Sequence, residues 1–121
     1  MKNIPQLLAA LTFTLALALP HSAFAVGAIA VDDEEGDNEP GFGYVTGMNS
    51  EAEAKAGALK ECRASGNKDC KVAVWFTTCG AYANSRKYSG IGYGKTKKIA
   101  EARALDDCGN DACKIVVSEC E

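Results

Sequence analysis

Cysteine is the residue type with the clearest chemical potential in this 121-residue chain. The six cysteines are Cys62, Cys70, Cys79, Cys108, Cys113 and Cys120. Thiols can form disulfides, bind zinc or act as nucleophiles. Zinc sites favour Cys-x₂-Cys pairs, but that spacing is absent, and the one histidine of the chain is His21. An even cysteine count in so short a chain instead predicts three disulfides where the chain is exported, so we expect no metal site at the cysteines and no cofactor.

The first 25 residues have the pattern of a secretory signal peptide. Lys2 supplies the positive charge, an uncharged apolar run extends over residues 7–19, and Ala23-Phe24-Ala25 is a small-x-small cleavage pattern. The apolar run is shorter than the roughly 20 residues that a membrane-spanning helix needs. We therefore expect cleavage after Ala25, no membrane span in the processed protein, and a periplasmic or secreted location.

Catalysis has little support in the remaining residues. Cleavage would remove His21 and leave no histidine, the commonest general base near neutral pH. The thiols are expected to be oxidised, and Ser85 and Ser89 lie near lysines without a spacing that fixes a Ser–Lys pair. We expect no catalytic residues and no enzymatic activity.

An acidic segment over residues 32–40 is the strongest charge feature of the chain. Its acidic residues are Asp32, Asp33, Glu34, Glu35, Asp37 and Glu39. Three interpretations remain open: a solvated loop, a calcium site, or a contact surface for a basic partner. The Asp-x-Asp-x-Asp-Gly spacing of a calcium loop is missing. A net charge of −3 also argues against a general nucleic-acid binder.

Basic and aromatic residues supply further candidate contacts. Arg86 and Lys87 belong to a basic region that continues through residues 95–98, so the two halves of the chain carry opposite charge in corresponding hairpins. Trp75 and Phe76 are neighbours in a strand and must face opposite sides. Burial between layers is the favoured interpretation of these rings. The alternative is that one of the two is exposed, in which case Trp75 is a candidate partner contact.

The elements that position these residues occur twice in the same order. Gly27-Ala28-Ile29-Ala30 corresponds to Gly80-Ala81-Tyr82-Ala83, and both helical segments end in Ala-Leu-x-x-Cys. A glycine-aromatic strand precedes each helix, and a β-branched strand follows it. We predict an α+β fold of two tandem ββαβ repeats around a shared core, with repeats at residues 26–79 and 80–121 and a first hairpin loop at 32–40.

Helix starts and helix faces follow from local patterns. Ser50 and Thr96 are predicted N-caps. The faces predicted to be buried are Ala52, Ala56 and Leu59 in the first helix and Ile99, Ala102 and Leu105 in the second. The glycines over residues 41–43 and 90–94 do not complete a phosphate-binding loop and instead indicate strands that either bend or admit a close neighbour.

The predicted order of elements favours one disulfide pattern among many. Each helix end lies beside the start of the next strand, which pairs Cys62 with Cys70 and Cys108 with Cys113. Cys79 and Cys120 remain, and we expect their disulfide to join the two repeats.

The chain resembles the exported bacterial proteins grouped as domain of unknown function 4189. The resemblance lies in the two Gly-Ala-x-Ala segments, the two helix ends, and Val74-Trp75-Phe76-Thr77-Thr78-Cys79. It implies export, a duplicated α+β domain and a role in the envelope or outside the cell, and it implies no catalytic residues. The acidic first hairpin departs from the family pattern.

The function that these observations favour is an exported, non-catalytic domain that binds another protein. Such a domain would act as an immunity or inhibitor protein against a toxin or hydrolase, or as a secreted effector. The alternative is a structural or glycan-binding component of the cell envelope, in which exposed aromatic residues stack on sugars.

Overall fold

The computed structural model describes residues 25–34 and 39–121. The predicted signal peptide and residues 35–38 of the acidic segment lie outside the described residues. The elements are β1 (Val26–Asp32), β2 (Gly41–Met48), α1 (Glu51–Ala64), β3 (Lys71–Phe76), β4 (Cys79–Asn84), β5 (Ser89–Gly94), α2 (Lys97–Cys108) and β6 (Lys114–Cys120). The predicted α+β class is confirmed. None of the helices in the described residues is long and apolar enough to span a membrane.

The strands form two antiparallel sheets of three strands each, with the orders β2-β1-β3 and β5-β4-β6. We call β1, β2, α1 and β3 the first half and β4, β5, α2 and β6 the second half. The central strand β1 of the first half corresponds to the central strand β4 of the second half. Ile29 of β1 lies opposite Tyr44 of β2, and Tyr82 of β4 lies opposite Ile91 of β5. The strands β2, β3, β5 and β6 are therefore sheet edges.

Alternation along the central strands produces a layered molecule. Ala28 and Ala30 of β1 pack under α1, whereas Ile29 and Val31 face the second sheet. The central layer contains apolar residues from both halves: Ile29, Val31, Val74, Phe76, Tyr82 and Val117. The order of layers is thus α1, first sheet, second sheet, α2.

Both helices begin at the predicted N-caps, since Ser50 Oγ and Thr96 Oγ1 accept from the backbone N–H groups of Glu53 and Ile99. The buried helix residues are Ala54, Ala58 and Cys62 in α1 and Ala100, Ala104 and Cys108 in α2. The predicted faces were wrong for Ala52, Ala56, Ile99, Ala102 and Leu105, which are exposed, while Leu59 is half-buried. Alanine occupies the buried stripe because the helix backbone lies too close to the sheet for a larger side chain.

Strand glycines permit this close approach. A Cβ atom on Gly43 would lie 2.1 Å from the backbone nitrogen of Cys62, and one on Gly92 would lie 2.1 Å from the carbonyl oxygen of Ala100. Both distances are far below van der Waals contact. The prediction that these glycines admit a close neighbour is confirmed.

The structure contains the disulfides Cys62–Cys70, Cys79–Cys120 and Cys108–Cys113, the same pairs that the sequence favours. The predicted role of the third pair was wrong. Cys79 does not end the first half; it begins β4 and lies opposite Cys120 of β6 in the second sheet. The chain reverses between Phe76 and Cys79, so this disulfide joins two strands within one half.

Other contacts hold the halves together. The apolar central layer contains side chains from both sheets. At one end, the Tyr82 hydroxyl donates to Asp33 Oδ2 at 3.3 Å. At the other, Gly47 N–H donates to Glu121 Oε2 at 2.8 Å.

Peptide mapping of the oxidised protein under non-reducing conditions should give three linked peptide pairs that match the three disulfides. This outcome follows because each helix end lies close before the start of the next strand, and Cys79 lies opposite Cys120 in the second sheet. A bond between Cys79 and either Cys62 or Cys70 would contradict the assignment of Cys79 to the second sheet.

Candidate partner-binding surface

A groove of about 550 Å³ opens where β1 and β4 end, and both halves line it. We call it the inter-sheet groove. The first half contributes Asp33, Glu39 and Phe42. The second half contributes Arg86, Lys87, Tyr88 and Lys114, together with Asn84 at the end of β4. The volume lies within the range of ordinary ligand-binding clefts.

The groove brings together candidate residues that are far apart in sequence. Asp33 and Glu39 flank the first hairpin loop, and Arg86 and Lys87 lie in the turn between β4 and β5. The two hairpins lie at the same end of the molecule because β1 and β4 pack against each other in the centre. The opposite charges of the two hairpins therefore border one groove.

Two other sets of charges are placed differently from what the sequence suggested. Lys114 at the start of β6 also lines the groove, and sequence analysis missed it because nothing marks one lysine beside Cys113. The lysines over residues 95–98 follow β5 and lie at the opposite end of that strand from Lys87. The basic region seen in the sequence is thus divided between two ends of the molecule.

A hydrogen-bonded network lies at the base of the groove. The Tyr82 hydroxyl donates to Asp33, and Asn84 Nδ2 donates to the Tyr82 hydroxyl at 3.1 Å. Lys71 Nζ forms an ion pair with Asp33 Oδ1 at 3.1 Å. Burial raises the pKa of Tyr82, and the hydrogen bond and negative charge of Asp33 raise the pKa of Lys71. The Asp33 carboxylate therefore contacts both Lys71 of the first half and Tyr82 of the second half.

This network predicts a loss of stability in alkaline solution. Tyr82 and Lys71 both hold their protons more tightly in the folded chain, so their stabilisation is complete below the unfolded pKa values of about 10 and is lost as pH rises through the folded values. Tyr82→Phe should show a smaller decrease in the free energy of unfolding between neutral and strongly alkaline pH. Denaturant titrations across this range measure it, and identical pH profiles for the two proteins would contradict the role of Tyr82.

Asp32 was predicted as a partner contact, and this prediction was wrong. Its side chain is only 1% exposed. Asp32 Oδ2 accepts from the backbone N–H groups of Lys68 and Asp69, and Oδ1 accepts from that of Glu34. Asp32 is the last residue of a central strand, so it organises the neighbouring loops and cannot reach a partner.

The other candidates lie outside the groove lining. Glu34 is exposed close to it, whereas Glu35 and Asp37 lie outside the described residues. Trp75 is 42% exposed on β3, while Phe76 is 3% exposed in the central layer. The prediction that these two neighbours face opposite sides is confirmed. Burial between layers, the interpretation that the sequence favoured, is right for Phe76 and wrong for Trp75, which belongs to a different surface from the groove. Residues 25–34 and 39–121 contain no cluster of three potential metal ligands.

These features define a disulfide-bonded α+β domain built from two three-stranded sheets, each covered by one helix. The model of the family described as "Domain of unknown function (DUF4189)" matches residues 26–120. The chain belongs to this family, as its glycine, alanine and cysteine pattern indicates.

A solved structure is similar in both sequence and fold. The chain is similar to the NMR structure of Rv1813c from Mycobacterium tuberculosis, with 30% sequence identity and a TM-score of 0.60. The match covers 81% of this chain and 76% of the other. A comparison with curated proteins gives no significant match.

Proposed function

We propose that this chain is an exported, non-catalytic domain of two tandem ββαβ repeats that binds another protein through the inter-sheet groove. The roles that fit are an immunity or inhibitor protein against a toxin or hydrolase, and a secreted effector. The three disulfides support an oxidising location, periplasmic or extracellular.

One observation carries the proposal: the groove combines exposed aromatic rings with charges of both signs. Phe42 is 36% exposed and Tyr88 is 51% exposed, and both line the groove with Glu39, Lys87 and Lys114. Aromatic side chains provide most of the binding energy in many protein interfaces, and surrounding charges select the partner and accelerate association. A groove of this composition suits a protein surface that carries apolar anchors and complementary charges.

Affinity capture with matched charge variants tests this function. The oxidised protein is exposed to envelope extract and culture fluid at low and high salt. We expect a saturable protein partner that is weakened by high salt, because exposed charges are screened. Lys87→Glu should weaken capture, whereas Lys98→Glu, an equal charge change at the other end of β5, should not. Equal loss in both variants, or no saturable protein, would contradict binding through the groove.

Glycan binding is the second candidate, and the exposed Trp75 favours it. A sugar face stacks well on an open indole ring. Cell-wall material retained equally at low and high salt, and lost in Trp75→Ala but not in Lys87→Glu, would favour the glycan function over protein binding.

A further inference from the structure

The edge strands β2 and β5 occupy corresponding places in the two sheets but are covered differently. Tyr44 of β2 lies opposite Ile29, and Ile91 of β5 lies opposite Tyr82. Ile91 N–H donates to a side chain of α2, so it points away from β4. In an antiparallel ladder the outward positions recur at every second residue. The matching register places the N–H and C=O groups of Phe42 and Tyr44 on the outer edge of β2.

Side chains of α2 occupy the outer edge of β5. Asp107 Oδ2 accepts from Ile91 N–H at 2.9 Å, and Arg103 Nη1 donates to the carbonyl oxygen of Tyr93 at 2.8 Å. Gly92 leaves room for the arginine, since a Cβ atom there would lie 2.9 Å from Arg103 Cβ. These two bonds use the backbone groups that another strand would need.

Among the residues that the structure describes, none provides the corresponding cover for β2. Gly57 is the counterpart of Arg103, because each precedes the cysteine at the end of its helix by the same number of residues. Gly57 has no side chain that could reach the strand edge. Val45 is the counterpart of Gly92 in the first half. Its methyl groups fill the space beside Gly57, since a Cβ atom on Gly57 would lie 3.1 and 3.2 Å from them. Glu61 corresponds to Asp107, yet within residues 25–34 and 39–121 its carboxylate accepts no hydrogen bond from β2, and Ser65 is bonded to its backbone carbonyl.

An open groove of about 430 Å³ follows this edge. Consecutive residues from Phe42 to Thr46 line it, together with Glu61 and Ser65 at the end of α1. Since side chains of consecutive strand residues point to opposite faces, a groove lined by all of them runs along the strand edge. Phe42 also lines the inter-sheet groove. Beyond Thr46 the lining continues to Met48, and the N–H of Gly47 between them is bonded to Glu121.

We infer that the edge of β2 from Phe42 to Thr46 binds an extended basic segment of the partner protein, which adds to the first sheet as a fourth strand. This inference rests on the proposed protein-binding function and specifies its mode. Backbone hydrogen bonds provide affinity in such strand addition, and alternate side chains provide specificity. Alternate apolar side chains of the segment pack on Phe42 and Tyr44, which are 36% and 41% exposed. Its basic side chains face Glu61 beside the edge and Glu39 before β2, both of which are exposed.

Selection from a displayed library of random peptides about ten residues long tests this mode directly. We expect enriched peptides with alternating β-branched or aromatic residues and at least one lysine or arginine. Binding of such a peptide should slow hydrogen exchange at the amides of Phe42 and Tyr44, which precede the register shift between Val45 and Met48. Failure to enrich peptides, or protection confined to β3, β5 or β6, would overturn the inference.

Two variants close the edge in different ways. Val45→Gly/Gly57→Arg copies the arrangement of Gly92 and Arg103, and Tyr44→Pro removes an outward N–H without touching the ladder to β1. Each should weaken the selected peptides by about tenfold or more while retaining the three disulfides and cooperative unfolding. Lys98→Glu is the folded control that should bind normally.

The outcomes separate this inference from the proposed function. A protein partner that is captured equally by the wild type and by both closed-edge variants would overturn strand addition and leave protein binding intact. A dimer of this chain that protects the same amides without peptide would also overturn it, because the occupant would be a second copy rather than a basic partner.

Discussion

Gly43→Ala should lower the free energy of unfolding by about 3 kcal/mol or more. The added Cβ would lie 2.1 Å from the Cys62 nitrogen and 2.5 Å from the Glu61 carbonyl carbon. These are backbone atoms, so no side-chain rotation relieves the clash, and α1 must move away from the sheet. That movement would open the packing of Ala54 and Ala58 against β1 and would be opposed by the Cys62–Cys70 disulfide.

Gly47→Ala is the matched control in the same strand. A Cβ at Gly47 would meet no atom within 4 Å, but the residue has a φ of +70°, so only the left-handed backbone opposes the substitution. The expected loss is about 1 kcal/mol. Denaturant unfolding of the three oxidised proteins measures the difference. Similar losses for Gly43→Ala and Gly47→Ala would show that α1 does not lie against β2 as described.

Removing the Cys79–Cys120 disulfide should have the second large effect. The double variant Cys79→Ala/Cys120→Ala releases a loop with a sequence separation of 41 residues, and the chain-entropy relation gives a loss of about 4 kcal/mol. The bond also joins the start of β4 to the end of β6, and Cys79 is buried there. We expect a corresponding decrease in the midpoint of thermal unfolding.

The matching control is Cys108→Ala/Cys113→Ala, whose sequence separation is 5 residues. The same relation predicts a smaller loss of about 2 kcal/mol. Calorimetry of both double variants, each with its two remaining disulfides intact, compares them. A larger loss from the short loop than from the long one would contradict the entropic account and would indicate that the α2–β6 connection limits stability.

Much of the fold could be predicted because it is encoded in local patterns that occur twice. The N-caps at Ser50 and Thr96 and the small residues of the central strands each have a local physical cause. The reversal between Phe76 and Cys79 could not be predicted, because no glycine or proline marks it. For that reason Cys79 was assigned to the wrong half although its disulfide partner was found.

The buried helix faces were misjudged for a physical reason. Isoleucine and leucine are more apolar than alanine, so a hydrophobicity pattern places Ile99 and Leu105 inside. The actual criterion is size, because Ala100 and Ala104 lie against Gly92, where only a methyl group fits. Sequence shows the glycines and the alanines, but their contact becomes evident only in three dimensions.

The candidate surface was predicted in part. Asp33, Glu39, Arg86 and Lys87 were selected by charge, and the packing of the two halves places all four on one groove. Asp32 has the same charge as Asp33 and Glu39, but its side chain is buried, and residue type alone does not reveal that difference. The open edge of β2 was not predicted. It depends on a difference between the halves: the second half has Arg103 beside Gly92, whereas the first half has Gly57 beside Val45 at the corresponding positions.

Hydrogen exchange of the captured complex, compared with the free protein, tests the central claim most directly. The account predicts slower exchange in residues 39–46 and 84–89, the segments of both halves that border the inter-sheet groove. The helices and β3 should exchange as in the free protein. Protection confined to the surface around Trp75, with residues 39–46 and 84–89 unchanged, would contradict binding through the groove.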